Sequence, residues 1–262
     1  MEHFKAIAKA DGGVSVLTII FNRIAQGKFG SEQVSMGLLT AARLIALNRK
    51  DGKIRPVAIG EALRRIVGGA VMRKVRAGAE AVCLQACNLA FTRGGASHVK
   101  LAIDLLVAGA ERSVVIETDL KEAFQRASRD VMRGLLYDRE ELRPLLPFFD
   151  MFYEHEKGTA LFFGSIHELT SEEGAQQGCS LGTLLFVLSI CRVIDTVKAR
   201  YPDVEILGFA DDYRFVGEVR QTCNAARLYR RLVEQEGHVF QNEKSKIFSR
   251  STDTLLDHRT VL

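Results

Sequence analysis

Val204-Glu-Ile-Leu-Gly-Phe-Ala-Asp-Asp-Tyr-Arg-Phe-Val-Gly217 is the stretch on which the fold of this chain turns. Val204 to Phe209 and Tyr213 to Gly217 are short hydrophobic runs, with Asp211 and Asp212 between them. Two apolar strands joined by so short a polar link form a hairpin with the carboxylates at its turn. Upstream, Leu181, Leu184, Leu185, Leu188, Cys191 and Ile194 fall in helical phase and predict a core helix. Further upstream, Ser113-Val-Val-Ile-Glu-Thr-Asp119 has the β-branched content of a strand and ends on a third aspartate. Downstream, a helix is expected near Asn224 to Glu236 and a last strand near Val239 to Phe248. Strand, helix, hairpin, helix, strand is an α+β order, an antiparallel sheet with helices on one face.

The N-terminal half alternates in the same way. Leu38, Leu39, Ala42, Leu44 and Ile45 predict a helix over 36–48, and Asn48-Arg-Lys-Asp-Gly52 is a turn signal. Lys53 to Ile59 reads as a strand, followed after Gly60 by a basic helix to about Arg76. Helices are expected over 79–90 and 97–110 and, interrupted near Pro144 and Pro147, over 128–152; Phe162 to Leu169 supplies a strand. No repeat at a period of about 20 to 50 residues is visible.

The 262 residues, 47% hydrophobic and 26% charged, exclude a disordered, collagen-like or disulfide-scaffold protein. The longest apolar runs, Val14 to Phe21 and Leu181 to Ile190, fall short of the roughly 18 to 20 residues that span a bilayer, so no membrane partner is expected. The charged N-terminus lacks a leader pattern, and five cysteines without a CxxC pair suggest neither a disulfide framework nor a zinc knuckle. An intracellular location, nucleus or cytoplasm, is the expectation. Residues 43–76 hold ten basic side chains against Asp51 and Glu61, more than the whole-chain excess of +4, so the remainder is net acidic by four. That distribution suits a polyanion-binding surface beside a carboxylate site, and equally a solvated basic helix face.

Asp119 and Asp211 lie 92 positions apart, too far for one acidic loop, but sheet pairing can bring them together. Crowded carboxylates repel unless a cation neutralises them. Mg²⁺ suits such a group, because it binds a few carboxylate oxygens and completes its shell with water and substrate phosphates. Two such ions about 3.5 to 4 Å apart stabilise the attacking and leaving oxygens of a phosphoryl transfer. The alternative is that these aspartates only bond local backbone at strand ends and turns.

Five segments in order resemble the motifs of reverse transcriptases. Phe209-Ala-Asp-Asp212 matches their [Tyr/Phe]-x-Asp-Asp box, and Thr118-Asp-Leu-Lys-Glu-Ala-Phe124 their first metal-binding motif. Glu173-Gly-Ala-Gln-Gln-Gly-Cys-Ser-Leu-Gly-Thr-Leu-Leu-Phe186 is similar to the Gln-Gly-x-Pro-Leu box and its helix. Asn48 to Gly60 with Leu63-Arg-Arg65 is similar to the fingers segment of the non-LTR retrotransposon and group II intron branch, and Lys244-Ser-Lys246 to the lysine segment at the end of the palm. Ser180 stands where the family usually has Pro, Cys179 where an acidic or polar residue is frequent, and Gln241 where it has Asn.

The resemblance implies an RNA-directed DNA polymerase with a right-hand architecture: fingers and N-terminal helices over 1–112, a palm with residual fingers elements over 113–250, and a tail over 251–262 that ends before a full thumb. It implies catalytic Asp119, Asp211 and Asp212, which with the Leu120 carbonyl hold two Mg²⁺, Mn²⁺ being a substitute. Lys53, Arg55, Phe124, Gln177, Gly178 and Lys244 would meet the nucleotide. Phe124 would exclude the ribose 2′-hydroxyl by bulk, a role compatible with packing as a core aromatic. Lys244 is a proton donor to pyrophosphate or a solvated lysine. Arg64, Arg65, Arg73, Lys74 and Arg76 would meet phosphate backbone collectively, and Arg93 the template. The partners implied are an RNA template, a DNA or RNA primer and dNTPs, with a thumb or flanking retroelement domains supplied elsewhere. Two other readings stay open: a catalytically weak, retroelement-derived nucleic-acid-binding fragment, and another palm enzyme such as an RNA-templated RNA polymerase or a nucleotide cyclase.

Overall fold

The computed structural model describes residues 2–28, 39–48, 52, 54–109, 113–153, 159–164 and 167–249. In chain order the elements are α1 (Glu2–Lys9), α2 (Gly13–Ala25), β1 (Ala42–Asn48), β2 (Ile54–Gly60), α3 (Ala62–Lys74), α4 (Arg76–Gln85), α5 (Gly95–Ala108), β3 (Ser113–Thr118) and β4 (Leu120–Lys121). There follow α6 (Arg129–Asp138), a 3₁₀ turn (Arg143–Leu145), α7 (Leu146–Tyr153), β5 (Thr159–Phe163), β6 (His167–Ser171), α8 (Gly182–Arg200), β7 (Glu205–Phe209), β8 (Asp212–Glu218), α9 (Val219–Gln235), β9 (Val239–Phe240) and β10 (Lys246–Ser249). The mixed α+β class is the one expected from the sequence. Among the described residues no helix is long and apolar enough to cross a membrane.

The chain divides into two units that do not follow its halves: Met1–Arg76 with Arg133–Gly182, and Ala77–Met132 with Thr183–Leu262. The first holds the sheet β2-β1-β5-β6. Its aromatic core comes from α7, where Phe148 and Phe152 stack with ring centroids 4.5 Å apart and Phe149 and Tyr153 5.2 Å apart. Residues 42–48 are strand rather than helix: β1 pairs antiparallel with β2 along its whole length, from Ala42↔Gly60 to Asn48↔Ile54. A short apolar run fits either period. Here a partner strand across the turn satisfies seven residues of backbone, which outweighs the local helical spacing. The single strand expected over 162–169 is instead the hairpin of β5 and β6, which turns where Gly164 takes φ +65°.

The second unit holds the antiparallel sheet β10-β3-β8-β7 and the small ladder β4-β9. The helix expected over 181–194 is α8, and Leu184 through Leu188 are all fully buried. Its first half is apolar all round, as a helix segment enclosed by neighbours must be, whereas Arg192, Thr196, Lys198 and Arg200 of its second half are exposed. The last expected strand breaks in two. The polar run Gln241-Asn-Glu243 forms a turn closed by the Ser245 N–H on the Gln241 carbonyl at 3.0 Å. The break lets β9 pair with β4 while β10 pairs with β3.

Candidate active site

The sheet register brings the three aspartates to one end of the second unit. β3 and β8 pair antiparallel from Ser113↔Glu218 to Thr118↔Tyr213, so Asp119 leaves β3 on the side of Asp212. β7 and β8 close on Phe209↔Asp212, leaving Ala210 and Asp211 as the two-residue turn. Thr118 donates its hydroxyl to the Tyr213 carbonyl at 3.0 Å, and Arg214 Nε bonds Glu117 Oε1 at 2.8 Å across the same strand pair. Asp119 is fixed by its backbone: its N–H donates to Ser245 Oγ at 3.2 Å, and its carbonyl accepts from the Gln241 N–H at 2.9 Å. The turn at 241–245 thus sets where the Asp119 side chain begins.

The electrostatics of this corner are those of crowded carboxylates that Arg214 and Lys244 offset only in part. Burial, then the charge of Asp211, holds the Asp212 carboxyl above the usual range; Asp119 and Glu117 add to the rise and Arg214 opposes it. Asp119 Oδ2 is buried without a hydrogen-bond partner, and the Lys244 ammonium stands 3.3 Å from it. Among the described residues no group of three or more His, Cys, Asp or Glu is assembled as a metal site. The chemistry of the donors nevertheless fits a divalent cation, which would take the place of the Lys244 ammonium at Asp119 and relieve the repulsion at Asp212.

A residue that sequence reasoning missed holds the hairpin turn. Asn88, fully buried, donates from Nδ2 to the Ala210 carbonyl at 2.9 Å and to the Tyr213 hydroxyl at 3.0 Å. Its Oδ1 accepts from the N–H groups of Ala210 at 3.2 Å and Ala90 at 3.1 Å. The Tyr213 hydroxyl in turn donates to the Ala86 carbonyl at 3.2 Å. Backbone bonds flank the clamp, Leu89 N–H to Gly208 O at 2.8 Å and Gly208 N–H to Cys87 O at 2.7 Å. The approach is close enough that a Cβ on Gly208 would lie 2.7 Å from the Tyr213 ring and 2.9 Å from Asn88 Nδ2. Ala210 has φ +54°, a left-handed conformation that costs a non-glycine residue about 1 kcal/mol or more, and the carboxamide bonds both of its backbone groups. An asparagine 122 positions from the turn carries no local signal of this role.

Phe124 lies half-buried just beyond β4 and stacks on Phe186 of α8 at 5.2 Å, and Phe186 meets the His238 ring edge-on at 6.0 Å. His238 is 3% exposed, and neither ring nitrogen has a hydrogen-bond partner among the described residues. Burial, with the charge of Arg126 adding, pushes its imidazole down to about 4. An unfolded histidine near 6.5 binds its proton first, so the stability held above that pH is lost as pH falls toward 4. The loss between pH 7.5 and pH 5 is expected to be about 2 kcal/mol. Urea midpoints at the two pH values, compared with His238→Phe, read it; an identical pH dependence in both proteins contradicts it.

The remaining expected site residues divide between the two units. In the first, Arg55 is exposed on β2, and three residues on, the Ala58 N–H bonds the Gln177 carbonyl at 2.9 Å. Gly178 follows with φ +105°, and a Cβ there would lie 2.7 Å from the Ala58 carbonyl oxygen. The loop bearing Gln177 and Gly178 is therefore strapped to the strand bearing Arg55. Lys53 lies outside the described residues, as does the 251–262 tail. Arg65, Arg73, Lys74 and Arg76 are exposed on or just after α3, and Arg93 is exposed ahead of α5 in the second unit. Arg64 departs from expectation. It is 3% exposed, so it does not offer its guanidinium to a phosphate backbone. Nη1 donates to Gln176 Oε1 at 2.8 Å and to the Thr40 carbonyl at 3.3 Å, and the group lies over the rings of Phe152 at 4.6 Å and Tyr153 at 5.3 Å. Stacking and the two acceptors on Nη1 replace part of the water that a guanidinium loses on burial, while Nη2 is buried without a hydrogen-bond partner. Its work is to hold the approach to Gln177. Leu120 is buried in β4, opposite Phe240.

Fold and site together define a mixed α+β protein with carboxylates gathered at one end of an antiparallel sheet. No protein-family model and no curated protein matches the chain. Solved structures do. The chain is similar to apo telomerase from Candida tropicalis truncated from its C-terminal domain, with TM-score 0.59 and 12% identity over 80% of this chain and 50% of that one. Apo telomerase from the same organism gives TM-score 0.61 and 11% identity over 85% and 46%. Telomerase from Candida albicans in complex with a TWJ fragment of telomeric RNA gives 0.53 and 11% over 81% and 42%. The chain thus spans half or less of the length of these structures, and the likeness is one of fold.

Proposed function

We propose that this chain is the fingers and palm of an RNA-directed DNA polymerase of the non-LTR retrotransposon and group II intron type, adding dNTPs to a primer 3′-hydroxyl on an RNA template. The observation that carries the reading is the β3–β8–β7 register, which sets Asp119 beside the Ala210–Asp211 turn and Asp212 at the start of β8. Likeness of fold to telomerase, itself a reverse transcriptase, supports it.

In this reading Asp119, Asp211 and Asp212, with the Leu120 carbonyl, hold two Mg²⁺, or Mn²⁺ in their place. When bound, the ions supply positive charge to the attacking and leaving oxygens of the phosphoryl transfer. The chain's own residues do the positioning. The clamp of Asn88 on Ala210 keeps the Asp211 backbone in one place, and the 241–245 turn does the same for Asp119. Lys53 and Arg55 neutralise the triphosphate, Arg as a planar donor and Lys as a point charge. Gln177 and Gly178 line the base pocket. Phe124, backed by Phe186, presents an apolar ring that leaves a ribose 2′-hydroxyl neither room nor a hydrogen-bond partner. Lys244, 3.3 Å from Asp119, serves as the proton donor to the leaving pyrophosphate. Arg65, Arg73, Lys74, Arg76 and Arg93 bind primer and template phosphates without sequence preference.

The Lys244–Asp119 ion pair, which occupies an oxygen that the first reading gives to a metal ion, favours a second reading, a module that binds nucleic acid without extending it. Primer extension on poly(rA)/oligo(dT) with Mg²⁺ separates the two. Incorporation of dTTP that stops on chelation, with UTP used at least about 10²-fold less efficiently and Phe124→Val narrowing that gap, is the expected result. Folded protein that binds the duplex but adds no nucleotide would put the binding module in its place.

A further inference from the structure

A second basic surface lies in the second unit, outside the basic segment 43–76. α8 and α9 together carry seven Lys or Arg against Asp195 and Glu234, although the chain outside residues 43–76 has an acidic excess of four. The end of α8 and one stripe of α9 form the walls of a cavity of about 670 Å³. Thr196 and Arg200 come from α8, with Tyr201 just beyond; Asn224, Arg227, Leu228 and Arg231 come from α9 at i, i+3, i+4 and i+7, the spacing of one helix face. Among the described residues lining it none is acidic.

Helix-end electrostatics account for Arg200, which sits at the negative end of the α8 dipole. They do not account for Arg227 and Arg231, which lie inside α9 four residues apart, where like charges disfavour the helix. Glu234 is paired with Arg230 at 3.2 Å, and Arg230 lies over Phe240, 5.5 Å from the ring centroid. Arg227 Nη1 donates to Asn224 Oδ1 at 3.4 Å and Arg200 lies over Tyr201, 5.6 Å from the ring centroid, so the groove's own side chains orient these guanidinium groups, and the positive charge lining it suits an anion. The Tyr201 hydroxyl and the amide nitrogen of Asn224 add neutral hydrogen-bond donors, the Thr196 hydroxyl being spent on the Arg192 carbonyl at 2.8 Å, and Leu228 offers an apolar patch for a sugar. A membrane surface would call for protruding apolar anchors, whereas this site is concave with one aliphatic lining residue.

We propose that this groove binds the phosphodiester backbone of a single-stranded nucleic acid, at a site of its own within the unit that carries the aspartates. The inference rests on charge and shape and stands whether or not the chain polymerises. Fluorescence anisotropy of the full chain with a labelled 20-mer oligo(U), over a series of KCl concentrations, tests it. Arg200→Ala/Arg227→Ala/Arg231→Ala is expected to weaken binding at least tenfold at about 0.1 M salt and to flatten the log–log salt slope by about 2, for three lost phosphate contacts. The corresponding triple Lys variant should keep most of the slope, and Arg65→Ala/Arg73→Ala should lose a separate, additive share. Oligo(dT) in place of oligo(U) shows whether the 2′-hydroxyl contributes. A triple Ala variant with the wild-type melting curve and unchanged affinity and slope would overturn the proposal. So would loss of binding to anionic-lipid vesicles with oligo(U) binding intact, which would make the groove a membrane contact.

Discussion

Asp211→Asn is expected to lower nucleotide addition on the order of 10³-fold while leaving the melting temperature unchanged or higher. The two outcomes have one cause. After burial, the Asp211 charge is the main influence raising the Asp212 carboxyl, and Asp119 and Glu117 press in the same direction. A folded protein that holds these charges without a cation carries their repulsion as a cost, and the isosteric amide removes part of it while keeping the shape of the turn. Residues that only stabilise a hairpin behave otherwise: their loss lowers stability and activity together. Primer extension and a thermal melt on the same preparation decide the matter. A variant that keeps most of its activity, or that melts well below wild type, contradicts a catalytic role for this aspartate.

Asn88→Ala is expected to cost about 3 to 4 kcal/mol of stability and to take most of the activity with it. Truncation leaves the Ala210 carbonyl, the Ala210 and Ala90 N–H groups and the Tyr213 hydroxyl each short of a bond, at a position with no access to water. The left-handed conformation of Ala210 also loses the support of the carboxamide. Tyr213→Phe is the graded control. It removes the bonds of the hydroxyl to Asn88 and Ala86 but keeps the carboxamide on Ala210, and about 1 kcal/mol is expected. Urea unfolding of both variants, with kcat and KM measured separately, tests this. A displaced turn lowers kcat more than it raises KM. A loss below about 1 kcal/mol in Asn88→Ala would show that the turn holds itself.

Much of the fold was legible because its signals are local. The alternation of β7 and β8 around two aspartates, the β-branched β3 and the apolar α8 each announce themselves within about fifteen residues. β1 was misread for the complementary reason: its seven residues fit a helix until β2 supplies a register. Arg64 was misread because composition counts it with its exposed neighbours. Only the position of α3 against Gln176 and the α7 rings makes it an interior residue. The α8–α9 groove escaped the same count, since two stripes of arginine on separate helices do not register as a charge run.

The sequence by itself determined which residue types could carry chemistry and which elements hold them: three aspartates at strand ends, an Asp-Gly turn signal at 51–52, and a chain of mixed α+β class. The tertiary structure alone decided what those residues meet. Periodicity and turn chemistry act over a few residues and can be read from neighbours in the chain. Burial, sheet register and hydrogen-bond partners depend on contacts 92 or more positions away, from Asp119 to the hairpin turn and from Asn88 to Ala210. No local rule contains those distances, so they appear only once the chain has packed.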